Sequence, residues 1–169
     1  MSRLVSHIDR ITELIGRLIA WLTLFVVILT FLIVLLRYGF SVGWIAMQES
    51  VLYFHALVFM LGAAFTLKHD EHVRVDIFYQ KFTVRQKAWV NLLGSVLLLL
   101  PVCVFIFVIS FDYVLVSWQI MEGSKEPGGL PFVYLNKSMI LLLVITMTLQ
   151  GLAEIGRNLL VLIERKEGE

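Results

Sequence analysis

Glu49, His55, Asp112 and Lys137 are ionisable residues within or beside long apolar stretches of this 169-residue chain. An ionisable group in a membrane is costly, so each is a candidate for function until a partner accounts for it. Glu49, Asp112 and Lys137 fall at the same ends of their stretches. A Glu49–Lys137 or Asp112–Lys137 pair would cancel the charge and fix the register of two helices. The alternatives are a proton or ion relay, and side chains that simply reach the interface. A small proton-coupled exporter needs a deep carboxylate, and the sequence has none.

Histidine offers two further chemistries. His55 and His69 are 14 residues apart, a spacing that sets two imidazoles on one helix face, as in haem ligation. A four-helix di-haem protein needs matching histidines on a second helix, and the only others are His7 and His72. A hydrogen-bonded interhelical histidine is the simpler reading of His55. The string His69-Asp70-Glu71-His72, with Asp76 one turn on, resembles a metal cluster. It lacks cysteine and a closed set of four ligands, and a helix end running into a hydrated loop is the commoner source of such a string. The one cysteine, Cys103, excludes an internal disulfide and any CxxC motif. There is no Ser/His/Asp set and no phosphate-binding loop. The chain is therefore read as a non-enzyme without cofactor or metal.

The elements that position these residues follow from hydropathy. Apolar residues make up 59% of the chain and charged ones 16%, against about 45–50% and 25% in soluble domains. Apolar runs at Leu18–Leu36, Ser50–Leu67, Ala88–Phe111 and Leu130–Ala153 each approach the ~20 residues that cross a bilayer as helix. The expected fold is an all-α integral membrane protein, one domain over residues 1–169, with four transmembrane helices at about 14–36, 50–67, 88–111 and 130–153. The first run is longer than a signal-peptide core and no cleavage site follows it, so it reads as an uncleaved span.

Basic residues set the orientation. Arg3, Arg10, Arg17, Lys68, Arg74, Lys81, Arg85, Lys87, Arg157, Arg165 and Lys166 fall on one side, and only Arg37, Lys125 and Lys137 on the other. Both termini are expected in the cytoplasm. Trp21 and Trp89 belong near the inner interface, Trp44 and Trp118 near the outer one. Leu4, Ile8 and Ile11 suggest an amphipathic lead-in helix on the inner surface. Val73, Ile77, Phe78 and Phe82 suggest a second one in the inner loop, with Arg74, Lys81 and Arg85 turned outward. Pro101 predicts a kink near residues 97–101. Gly16, Gly62, Gly94 and Gly151 would let helices pack closely, most densely at Gly62-Ala63-Ala64.

Several of these features occur together in order: Arg37-Tyr38 ending the first span, Trp44 then Glu49 opening the second, Gly62-Ala63-Ala64, and His72-Val73-Arg74-Val75-Asp76. The outer loop Glu122-Gly123-Ser124-Lys125-Glu126-Pro127-Gly128-Gly129, followed by Lys137, completes the pattern. It resembles the small membrane subunit of tripartite ATP-independent periplasmic (TRAP) transporters, the DctQ-like family. The resemblance implies a bacterial inner-membrane protein working with a large multi-span subunit that carries the substrate and sodium sites. A periplasmic solute-binding protein would deliver the substrate, often an organic acid. The small subunit would brace the large one within the lipid and help dock the binding protein. No nucleic acid is implied. On this reading Arg37 and Glu49 fix the outer ends of two spans. His72 and Asp76 order the inner loop, and residues 37–48 and 122–131 face the periplasmic partner. Competing readings are an autonomous homo-oligomeric transporter, a haem-bearing cytochrome b-type subunit and a four-span assembly factor.

Overall fold

Backbone N–H and C=O groups have no water to bond to in lipid, so a long apolar run must pair them internally. The computed structural model describes residues 2–73 and 76–164, without the side chains of residues 2–4, 76, 78 and 164. Helix α1 spans Ser2–Gly39, α2 Ile45–Lys68, α3 Asp76–Tyr79, α4 Val84–Gly94, α5 Leu100–Gln119 and α6 Val133–Glu164. A π-helical turn, Ser95–Leu99, joins α4 to α5. Among the described residues there is no strand. Four stretches are long and apolar enough to cross a membrane: Val5–Gly39, Ile45–Lys68, Val84–Gln119 and Val133–Ile163. The all-helical, four-span expectation holds, and each of these helical stretches is longer than the span expected in it.

Helix α6 is the centre of the bundle. It packs against α1, α2, α4, the π turn and α5, while α1 also lies along α2. The interior is built mainly from small and polar residues, Ala64, Ala88, Cys103 and Ala153 with Thr12, Ser95, Ser110, Ser117, Gln150 and Asn158, and the larger apolar residues buried among them are Ile19, Leu92, Val114 and Val144. Large apolar side chains such as Trp21, Phe31, Leu52, Phe59 and Phe105 point outward. This is the distribution expected where lipid is the solvent and close backbone approach drives helix packing. At Gly16 an added Cβ would run into the Phe65 ring, and at Gly151 it would lie 2.7 Å from Leu99 Cδ2. Around Gly62 and Gly94 it would meet nothing within 4 Å. Two of the four glycines thus serve packing inside this chain and two do not.

Three local expectations change. The lead-in is no separate surface helix but the first turns of the 38-residue α1, held against α2 and α6 by polar contacts described below. The inner loop does not form one amphipathic helix either. Helix α3 has four residues, and Thr83 starts α4 afresh through a capping box with Gln86. Val73 and Ile77 are exposed while Phe82 is half-buried, so they share no buried face. Phe78's side chain and Arg74, Val75, Arg165 and Lys166 lie outside the described residues. Pro101, which has no N–H to donate, sits in the first turn of α5 directly after the π turn. Leu100 N–H bonds to Ser95 C=O there, five residues back. The predicted interruption is thus this π turn. The buried positions against α6 are Ala88, Leu92 and Ser95 before it and Cys103, Ser110, Val114 and Ser117 after it.

Candidate functional site

Polar side chains gather at the two ends of the bundle. At the end that carries both terminal segments, Arg157 of α6 grips Asp9 of α1, with Nη1 2.7 and 2.8 Å from the two carboxylate oxygens. Arg157 Nη2 and Nε also reach Glu154 Oε2 at 2.6 and 3.2 Å. Gln150, which is fully buried, donates from Nε2 to Asp9 at 3.2 Å and accepts from Thr12 Oγ1 at 2.8 Å. Lys68 closes α2 onto α1: its Nζ donates to Glu13 Oε2 at 2.6 Å and to the Asp9 carbonyl at 3.0 Å. His69 Nε2 lies 3.5 Å from the same Glu13 carboxylate. Each group has a partner, so the cluster acts as a latch across three helices.

At the far end the partners come from the loop between α5 and α6. Glu49, in the first turns of α2, accepts from the Ser124 hydroxyl and, at 2.6 Å, from the Leu130 N–H. Ser124 N–H bonds to Leu130 C=O at 2.9 Å, closing the loop on itself. Gly129 lies against Ser124, and a Cβ there would come within 2.8 Å of Glu49 Oε1, so the close approach requires glycine. Gly128 takes φ +80°, a second position that favours glycine. Glu122 accepts from Lys137 Nζ at 2.5 Å and from Ser117 Oγ at 2.7 Å. The Lys137 ammonium and the Ser117 hydroxyl hold the Glu122 carboxyl below the ordinary carboxylate range. Lys137 also lies 4.0 Å over the Tyr113 ring. Trp118 Nε1 donates to Ser138 Oγ at 2.7 Å, tying α5 to α6 at the same level.

The family model of the tripartite ATP-independent periplasmic transporters' DctQ component matches this chain over residues 26–160. The chain belongs to the DctQ family. No curated protein and no solved structure matches it. A DctQ component is part of a transporter and not an enzyme.

The residues that marked the DctQ resemblance are dispersed over this fold. Glu49, Ser124 and Gly129 meet, and Glu122 meets Lys137. The expected partners of Lys137 were Glu49 or Asp112; it takes Glu122 because the α5–α6 loop folds that carboxylate back over the start of α6. Asp112 is exposed on α5, and Arg37, Tyr38 and Trp44 are exposed at the same end of the bundle. Lys125, Glu126, Pro127 and Gly128 form the exposed tip of the loop, and Gly123 is half-buried at its base. Ala64 is buried, Ala63 half-buried, and Gly62 faces open space. His72 is exposed beside a groove of about 730 Å³ that Tyr79, Asn91, Ser95 and Glu154 also line. Asp76 opens α3, and its side chain lies outside the described residues. Sequence reasoning missed the latch altogether. Its signal was a deep Gln150 and a basic Arg157 late in one helix, set against acids at matching depth in the first turns of another.

Proposed function

We propose that this DctQ chain is the small, non-substrate-binding membrane subunit that braces the large membrane subunit of a TRAP transporter. In the same reading it helps dock a periplasmic solute-binding protein for sodium-driven uptake of an organic-acid-like solute. The observation that carries this is where the polar groups go. The ion pairs gather at the two ends of the bundle, on the latch and on the loop, and among the described residues no set of polar side chains converges at mid-depth. A transporter that bound its own solute would need one there.

The chain works as a single four-helix domain in the bacterial inner membrane. The latch end, which takes most of the basic residues, is cytoplasmic, so the Glu49-held loop is periplasmic. Its exposed tip, Lys125 to Gly128, is then the surface offered to the binding protein, with the Arg37–Gln48 segment beside it. Glu49 acts by shaping that loop. His72 and Asp76 order the cytoplasmic loop.

The test is a mild-detergent pull-down of the tagged chain from its native membrane, paired with solute uptake. A stoichiometric large multi-span partner supports the reading, and a homo-oligomer that transports alone overturns it. Glu49→Gln should leave the partner bound and weaken the response to the binding protein. Asp76→Asn should reduce assembly or uptake. If neither substitution changes assembly or uptake, the roles given to these two residues are wrong.

A further inference from the structure

His55 lies on the outside of the bundle at mid-depth. Along α2 it is 11 residues from Trp44 and 13 from Lys68, or about 16 and 20 Å of helix. Its exposed imidazole lies tilted against the Phe59 ring, the centroids 4.6 Å apart, and no hydrogen bond to it is found among the described residues. An imidazole carries a ring N–H and, when neutral, a ring acceptor, neither of which lipid can satisfy.

Other polar groups of the spans escape this problem locally. The hydroxyls of Thr23, Thr30, Ser110 and Thr146 each donate to the carbonyl four residues back in their own helix. His69 makes the equivalent contact, Nδ1 to Phe65 C=O at 3.0 Å. His55 does not. It also belongs to a regular strip: Gln48, Leu52, His55, Phe59, Gly62 and Thr66 recur at alternating steps of four and three, the spacing of a helix–helix seam. Leu52 and Phe59 are 63% and 64% exposed. A side chain at Gly62 would touch nothing in this chain, so its own packing does not require glycine there. A neighbouring helix laid along the strip would use it for close approach.

We propose that this strip of α2 is the seam along which the chain packs against one transmembrane helix of the large membrane subunit. In that seam His55 hydrogen-bonds a hydroxyl, amide or carboxylate of the partner helix near the bilayer centre. The proposal rests on the subunit reading above and adds the face to it. Lipid could cover Leu52 and Phe59 but offers His55 no hydrogen-bonding group, so the strip calls for a protein helix, and on the subunit reading that helix belongs to the large subunit.

A photo-crosslinking amino acid placed at Leu52 or Phe59, in membranes holding the full complex, should capture the large subunit. The same group at Val27 or Phe31, on the outward face of α1, should not. Capture of a second copy, or of lipid only, while the large subunit still co-purifies would overturn the seam and leave the subunit reading standing. A large subunit absent from the purified material would sink both. Gly62→Leu adds bulk where this chain is empty, so the chain alone should accumulate and melt as the parent does. Recovery of the large subunit should fall about ten-fold or more. His55→Leu should lower recovery roughly three- to ten-fold, as for loss of one interhelical hydrogen bond in a membrane, and His55→Gln should restore most of it. Unchanged recovery with Gly62→Leu would refute the seam.

Discussion

At the latch end, Asp9 and Glu13 of α1 reach Arg157 of α6 and Lys68 of α2, so each ion pair joins two helices far apart in sequence. At the far end, Glu49 and Glu122 take their donors from a loop and from the turns beside it. The same residue types are present, but the first set determines how the bundle closes and the second determines the shape of one surface. Damage to the latch should therefore appear as lost stability of the whole chain. Damage at the far end should appear as local loosening over an intact bundle.

Arg157→Ala is the strongest way to break that contrast. It leaves Asp9 and Glu154 without their cation, and should cost about 2 kcal/mol. That is below the usual cost of splitting a buried pair, because water reaches both side chains. Thermal unfolding in detergent measures it, and coupling to Asp9→Asn in a double-mutant cycle assigns it to the pair. Gly16→Leu comes next, at roughly 1–3 kcal/mol, because Phe65 must leave its seat. Gly62→Leu in the chain alone should cost nothing measurable, and a loss equal to that at Gly16 would show that the open face is misplaced. Gln150→Leu keeps the volume but strips Thr12 and Asp9 of a partner, at about 1 kcal/mol.

The far end should behave differently. Glu49→Gln should leave the melting temperature nearly unchanged while amide exchange in residues 122–131 rises several-fold. A matching drop in global stability would erase the distinction between the two ends. The smallest effect is that of pH. The native Glu122 carboxyl is held below its ordinary value of 4.5. Its stabilising contribution is therefore complete above that value and is lost as pH falls through the lowered native one. Loop protection should be flat near neutrality and fall in the acid range, and Glu122→Gln should remove that acid step.

How far this was legible in the sequence differs between the ends too. The spans were visible because lipid leaves a helix as the only way to pair the backbone. The glycines and prolines of residues 122–131 marked a loop, and Glu49 stood out as a charge opening a span. What could not be read was pairing between elements. Lys137 had three carboxylates within reach of its end of the bundle, and only the fold of the loop selects Glu122. The latch was hidden because Asp9 and Glu13 looked like the wet face of a surface helix. Nothing local in residues 2–17 says that this helix continues unbroken into the first span. Gly62 and Gly16 look alike in sequence, since small residues mark close contact without saying with which chain.

The π turn has a consequence for comparing lengths. Before it the buried positions run Ala88, Leu92, Ser95, and a seam of alternating four- and three-residue steps would continue through 99, 102, 106, 109, 113 and 116. The observed positions are Cys103, Ser110, Val114 and Ser117, each one residue later than the matching member of that series. The turn thus absorbs one surplus residue and returns the seam to α6. Deleting one residue within Ser95–Leu99 would convert the turn to ordinary helix and leave both halves in phase. The same deletion six residues away on either side would rotate half the span off its partner. A one-residue gap inside this membrane helix is therefore a legitimate place to align a shorter relative.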